Sequence, residues 1–233
     1  MEQLRRFDLV KLKSADWICG VDEAGRGALA GPVVAGAVFA QSAFFKERGF
    51  AKRWAAVNDS KQLKPAKRQE IFAAIREAGE RGLLFWASGL ADVVEIAELN
   101  ILGATRQAMQ QAIESACPGE LVLPNAEKVE DLFNPRPSVE VSILVDGRPL
   151  KPFPFTHQGL VKGDSRSLLI ALASIVAKET RDALMVELAT QHAAYGFDVH
   201  KGYGTAMHRS AILEQGACCE HRGLFLRKLT KTA

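Results

Sequence analysis

The stretch Gly20-Val21-Asp22-Glu23-Ala24-Gly25-Arg26-Gly27 sets the reading of the whole chain. The apolar run from Trp17 to Val21 has the character of a short strand and ends on two adjacent carboxylates. A second run, rich in Val and Ala, spans Gly31 to Phe39, so the order expected is strand, glycine loop, strand. Glycines on both sides of an arginine let backbone amides approach a sugar–phosphate chain without Cβ interference. The arginine can hold a phosphate in a charge-assisted fork. Neither GxxxxGK(S/T) nor GxGxxG occurs, which excludes a P-loop and a dinucleotide fingerprint.

Outward from this loop, Pro65 opens a helical segment to about Glu80, and Leu83 to Gly89 is a third strand. Ile101 to Ile113 has the spacing of an amphipathic helix. Val139 to Val145 is a β-branched strand ending at Asp146-Gly147, before a loop with Pro149, Pro152 and Pro154. The most apolar helix is expected from about Ser165 through Leu188, with shorter helical pieces around Ala211 to Gln215 and after His221. Ser42 to Val57 and Leu123 to Ser138 are expected as insertions or mobile loops. The sum is an α/β fold, one mixed sheet covered by helices.

Strand ends and helix starts carry the candidate chemistry. Asp22-Glu23 ends the first strand, Asp146 ends the strand at Ile143-Leu144-Val145, and Asp164 stands where the longest helix begins. Hard Mg²⁺ or Mn²⁺ takes oxygen ligands, and carboxylates converging at one sheet rim can build a two-metal phosphodiesterase site. Taken singly, Asp164 could be a helix cap and Asp146-Gly147 a turn. Strand alternation would aim Asp22 and Glu23 at opposite faces unless the pleat breaks at the glycines. Tyr203, among Lys201, Gly202 and Gly204, offers a flat ring to a sugar or base. Lys61, Asn100, Lys178 and Lys201 are second-rank candidates for phosphate contacts. No GxSxG surrounds Ser60 or Ser174, so no serine nucleophile is expected. His200 and His208 fit no metal-ligand spacing and are read as structural or DNA-contacting.

With 30 basic and 27 acidic residues, the net charge of +3 announces no partner, but the charges are polarised. Lys46 to Arg68 holds eight basic and two acidic residues, and Ala91 to Asp131 holds two basic and eight acidic. That suits a molecule with one face for phosphates, though two solvated surfaces would read the same. No apolar run is long enough for a membrane span, and the N-terminal residues lack a secretory core, so a cytoplasmic protein is expected. Cys19, Cys117, Cys218 and Cys219 are expected as reduced thiols with no shared role, since no CxxC occurs.

Several ordered segments resemble the type 2 ribonucleases H, and within them the ribonuclease HII family. They are Gly20 to Gly27, Asn58-Asp59-Ser60-Lys61-Gln62-Leu63, Glu98-Leu99-Asn100-Ile101-Leu102, Val145-Asp146-Gly147 and Lys162-Gly163-Asp164-Ser165-Arg166. Ala173-Ser174-Ile175-Val176-Ala177-Lys178, Thr180-Arg181-Asp182, Tyr195-Gly196 and His200-Lys201-Gly202-Tyr203 follow. The resemblance implies a ribonuclease H-like mixed β-sheet flanked by helices, over residues 16–228, with a small helical C-terminal part from about 190. Residues 1–15 and 229–233 are then terminal extensions. It implies two divalent ions, Mg²⁺ or Mn²⁺, on Asp22, Glu23, Asp146 and Asp164. It also implies 2′-OH and phosphate contacts at Gly25, Arg26 and Gly27, and Tyr203 packed on the following sugar. The implied reaction is hydrolysis 5′ of ribonucleotides in RNA/DNA hybrids or in DNA containing ribonucleotides, leaving 3′-OH and 5′-phosphate, by a monomer. Leu224 stands where the resemblance would put serine, and no proline follows Phe225. Only 21 residues precede Asp22, which favours the HII over the HIII type. A strand-transfer or resolvase-type nuclease on the same fold, and an inactive nucleic-acid-binding module, are the competing classes.

Overall fold

The computed structural model describes residues 1–57, 63–119, 121–124 and 139–227. Five strands form one sheet: β1 (Trp17–Ala24), β2 (Val33–Ala40), β3 (Leu84–Ala91), β4 (Val141–Asp146) and β5 (Gln158–Leu160), in the order β3-β2-β1-β4-β5. β1 to β3 form an antiparallel meander, whereas β4 and β5 run parallel to β1. The helices are α1 (Glu2–Lys11), α2 (Ser42–Phe45), α3 (Phe50–Arg53), α4 (Pro65–Glu80), α5 (Val93–Ala116), α6 (Leu168–Gln191), α7 (Phe197–His200), α8 (Ala206–Gln215) and α9 (Gly223–Leu226). This is the mixed sheet covered by helices that the sequence predicts.

Every residue of β2 is buried, because α6 covers one face of the sheet and α5 the other. Ile18, Val38 and Leu144 point into the core shared with Leu169, Leu172, Ile175 and Val176 of α6. Their alternates Cys19, Val21, Ile143 and Val145 pack with Ala108, Met109, Ala112 and Ile113 of α5. This period-2 division leaves Asp22 on the α6 face, beyond Gly20. α6 lies close to the strands there: a Cβ on Gly20 would come within 2.3 Å of the Leu169 carbonyl carbon, and one on Gly36 within 2.3 Å of the Ala173 oxygen. Glycine at these two strand positions admits the helix backbone, which brings Ser174 over the end of β1.

Several boundaries move from their expected places. The cap of α6 is Ser167, not Asp164: the Ser167 hydroxyl accepts from the Ile170 N–H at 3.3 Å, while Asp164 sits in a short 3-10 turn, Gly163–Ser165. α5 starts earlier than expected, at a capping box in which Asp92 and Glu95 satisfy each other's backbone amides. At Asn100 the backbone leaves the helix (φ 57, ψ 169), and its side chain accepts from Leu102 and Gly103, capping the second half.

The expected insertion at Ser42 to Val57 is core instead. Its short helices bury Phe44, Phe45, Phe50, Trp54 and Val57 in the α6-side cluster, with Phe44 ringed by the other three aromatics at 5.1–5.5 Å. At ~1.5–3 kcal/mol for each fully buried large side chain, this segment is a main contributor to stability. Residues 1–15, expected as an extension, supply Leu4 to the same cluster, and Asp8 accepts from the Leu169 N–H at 3.1 Å. The expected loop at Leu123 to Ser138 lies largely outside the described residues, as does 229–233. No helix among the described residues is long and apolar enough to cross a membrane.

Candidate active site

The parallel register between β1 and β4 sets Val21 opposite Val145, so the next residues, Asp22 and Asp146, stand side by side at the rim. Both line a cleft of about 440 Å³ with Glu23, Gly25, Arg26, Gly27, Arg68, Ser174, Lys178 and Tyr203. β1 keeps its pairing with β2 through Ala24, so the pleat does not break at Asp22-Glu23 as the sequence reading required. β4 ends at Asp146 instead, leaving the β1 edge open beyond Val21, and Glu23 reaches the cleft from that edge. Asp164 does not line the cleft. It is buried directly after Gly163, whose N–H donates to Asp146 Oδ1 at 2.6 Å.

Asp22 is buried and accepts from the Glu23 N–H at 2.7 Å and from the Ser174 side chain. Burial, then the charges of Glu23 and Asp146, push its carboxyl well above the usual carboxylate range. Of the cations on the cleft wall, Arg26 pairs with Glu23, while Arg68 and Lys178 are turned to Glu179 and Asp182. Among the described residues no three of the four acids bring ligand oxygens within 4.8 Å of one another. An all-oxygen, mutually repelling and open donor set fits hard divalent ions that share substrate and water oxygens, rather than a closed protein cage.

The glycine loop is held from far along the chain. Arg181 of α6 is fully buried and donates to the carbonyls of Pro32 (2.9 Å), Ala30 (3.1 Å) and Lys201 (2.8 Å). Arg222 donates to Gly31 (2.8 Å), Gly25 (2.8 Å) and Arg26 (3.1 Å). Burial, then Arg181, lowers the Arg222 guanidinium to about 9, so it stays charged at neutral pH. Gly25 has φ +91, and a Cβ there would lie 2.0 Å from Arg181 Nε; at Gly27 a Cβ would meet nothing within 4 Å. One glycine serves the fold, and the other faces open space. Arg26 is half-exposed, its Nη1 2.9 Å from Glu23 Oε1.

Tyr203 projects over the cleft with its ring 5.3 Å from the Arg181 guanidinium and 5.7 Å from Lys178 Nζ. Its backbone is fixed by histidines. His200 Nδ1 accepts from the Gly202 N–H, and His208 Nδ1 donates to the Tyr203 carbonyl at 3.0 Å. His221 Nδ1 accepts from the Cys218 N–H, so its Nε2 donates to His208 Nε2 at 3.1 Å. Of the two roles the sequence left open for His200 and His208, structural or DNA-contacting, these buried hydrogen bonds support the structural one, and burial lowers His208 to about 4.

The second-rank candidates part company. Lys178 lines the cleft, bonded to Asp182 at 2.6 Å. Lys201 lies in an adjoining groove with Lys178 and Arg68, its ammonium on the Asp198 carbonyl. Asn100 is away from the cleft, occupied in capping α5. Lys61 falls outside the described residues. The sequence reading missed Arg68, which lines the cleft and pairs with Glu179 and Asp182, and it assigned no role to Arg181 or Arg222. Arg181 lies in the Thr180-Arg181-Asp182 segment that carries the resemblance, which was the available signal for it; Arg222 stands two residues before Leu224, where the resemblance departs.

Comparison with known proteins gives the family and the fold. The family model described as Ribonuclease HII matches residues 19–232. A ribonuclease HII from Chlorobaculum parvum is 45% identical over 215 residues, covering 91% of each chain. The ribonuclease H2 structure from Pyrococcus horikoshii OT3 superposes with a TM-score of 0.62 at 22% identity, covering 93% of this chain and 98% of that one. Bst-RNase HIII in complex with Mn²⁺ superposes with a TM-score of 0.54 at 18% identity, covering 91% of this chain and 65% of that one.

Proposed function

The chain belongs to the ribonuclease HII family and is a ribonuclease H, and from that premise we propose that it cuts the phosphodiester 5′ of ribonucleotides set in a duplex, leaving 3′-OH and 5′-phosphate. The observation that carries the reading is the register of β1 against β4, which sets Asp22 beside Asp146 in a cleft also lined by Gly25, Arg26, Gly27 and Tyr203.

In this reading Asp22, Glu23 and Asp146 would hold two Mg²⁺ or Mn²⁺ ions, and Asp164, buried behind the cleft lining, would complete the acidic set next to the Gly163 amide that orients Asp146. A Mn²⁺ complex of the HIII neighbour supports that class of ion. When bound, such ions supply Lewis acidity to the attacking water and the leaving 3′-oxygen. Ser174 and the Glu23 amide keep the Asp22 carboxylate aimed into the cleft. Backbone groups at Gly25 and Gly27 meet the ribose 2′-OH, which can both donate and accept. Arg26 leaves Glu23 for the neighbouring phosphate, and Lys178 and Lys201 extend the phosphate path along the adjoining groove. Tyr203 packs on the next sugar. The protein works as a monomer on RNA/DNA hybrids and on DNA with embedded ribonucleotides.

Cleavage of a duplex carrying one ribonucleotide, with both product ends mapped, tests this. A nick 5′ of the ribonucleotide with a 3′-OH is expected. Equal cutting of an all-DNA duplex would overturn ribonucleotide recognition, and a 2′,3′-cyclic end would overturn hydrolysis by activated water.

A further inference from the structure

We propose that His192, Cys219 and Glu220 form a second metal site, for a thiophilic divalent ion of the zinc class, remote from the carboxylate cleft. His192 is the residue after α6, and Cys219-Glu220 lie in the turn that leads into Arg222. Cys219 Sγ is 4.0 Å from His192 Nε2 and 3.9 Å from Glu220 Oε1, and the three donor atoms all lie within 4.8 Å of one another. Among the described residues this is the single grouping of three or more His, Cys, Asp or Glu that meets that condition.

The distances suit the chemistry. Zinc bonds of ~2.3 Å to sulfur and ~2.0–2.1 Å to nitrogen, at a tetrahedral angle, separate S and N by about 3.6 Å. A few tenths of an ångström of movement brings Cys219 Sγ to that spacing from His192 Nε2, and small rotations of the half-exposed side chains draw in Glu220. A thiolate with an imidazole selects zinc-class ions, whereas Mg²⁺ takes oxygen ligands. Ligation exchanges the Cys219 S–H proton, released to solvent, for the metal. Cys218 is engaged elsewhere, its Sγ 3.2 Å from His221 Nδ1, so water fills the fourth position. The ion ties the end of α6 to the turn carrying His221 and Arg222, the residues that fix the Tyr203 loop and the glycine loop.

Cobalt tests the site by a signal that carboxylates cannot give. The reduced full chain, in excess Mg²⁺ to occupy the carboxylate cleft, is titrated with Co²⁺ and read in the near ultraviolet for thiolate-to-cobalt charge transfer. A band saturating at a single equivalent and bleached by Zn²⁺ is expected. Cys219→Ser should abolish it, His192→Ala should weaken binding ~tenfold or more, and Cys218→Ser should leave it. No band in the folded wild-type chain, a band surviving Cys219→Ser, or a band lost with Cys218→Ser but not Cys219→Ser would each overturn the assignment.

Discussion

Replacing Gly25 and Gly27, one at a time, by alanine separates what the glycine loop does for the fold from what it does for substrate. At Gly25 the φ of +91 is strained for any L-residue, at roughly 1–2 kcal/mol. The new Cβ would also sit 2.0 Å from Arg181 Nε, displacing a buried guanidinium that bonds three carbonyls. Hydrogen bonds from a charged group are worth ~1.5–3 kcal/mol each, so losing one brings the total to about 3–5 kcal/mol. Against a typical stability of ~5–15 kcal/mol that is a large fraction. At ~2–4 °C per kcal/mol for a chain of this size, Gly25→Ala should melt on the order of 10 °C lower. Gly27→Ala meets nothing within 4 Å and has no positive φ, so its stability should match or slightly exceed wild type. Its cleavage of a single-ribonucleotide duplex should fall ~5- to 150-fold, the range for ~1–3 kcal/mol of lost polar contact. Thermal melts in Mg²⁺-free buffer and kcat/KM on that duplex are the paired assays. Equal melting of the two variants would refute the packing argument, and wild-type cleavage by Gly27→Ala would remove Gly27 from the substrate face.

Asp22→Asn should abolish most cleavage yet raise the melting temperature of the metal-free protein at pH 7, because it relieves a buried charge repelled by Glu23 and Asp146. Its Tm should also stop responding to Mg²⁺; a wild-type-like Mg²⁺ shift would count against the metal assignment. Tyr203→Ala should lower turnover on a single ribonucleotide flanked by DNA more than on a run of four, and equal activity on both would reduce the ring to packing. Two buried groups oppose each other under acid. Burial lowers His208 to about 4, so stability is lost as pH falls from about 6.5, where the unfolded histidine takes its proton. Burial raises Asp8 to about 7, so its contribution is present at low pH and lost as pH rises through that same window. Asp8→Asn should therefore lose more stability than wild type between pH 7 and pH 5 in urea melts, and parallel curves would contradict the sign.

What the sequence made legible was local. The Asp22-to-Gly27 stretch, the strand ending at Asp146 and the Pro65 helix can be read from residues within a turn of one another. The misreadings are places where distant packing decided. Ser42 to Val57 looks like a loop because its two helices are four residues each, yet its aromatics interlock only once α6 covers them. Asp164 and Ser167 are equally good caps by residue type, and the 3-10 turn at Gly163 selects the serine. Arg181 and Arg222 look like solvated cations until their carbonyl acceptors, most of them well over a hundred residues away, are in view. His192 and Cys219, 27 residues apart, match no metal-binding spacing.

The clamp on the glycine loop also imposes an order in time. Gly25 leaves the ribosome early, but the guanidinium that fixes its carbonyl arrives 197 residues later. Translation runs from the N-terminus at ~5–20 residues per second, so the acids of β1, β4 and the α6 entrance are all synthesised first. Through that interval the nascent chain has its carboxylates, but the glycine loop is still missing its C-terminal fastening. A chain cut short before Arg222 has no guanidinium to hold the Gly25, Arg26 and Gly31 carbonyls, so the order of the glycine loop is tied to the last tenth of the sequence.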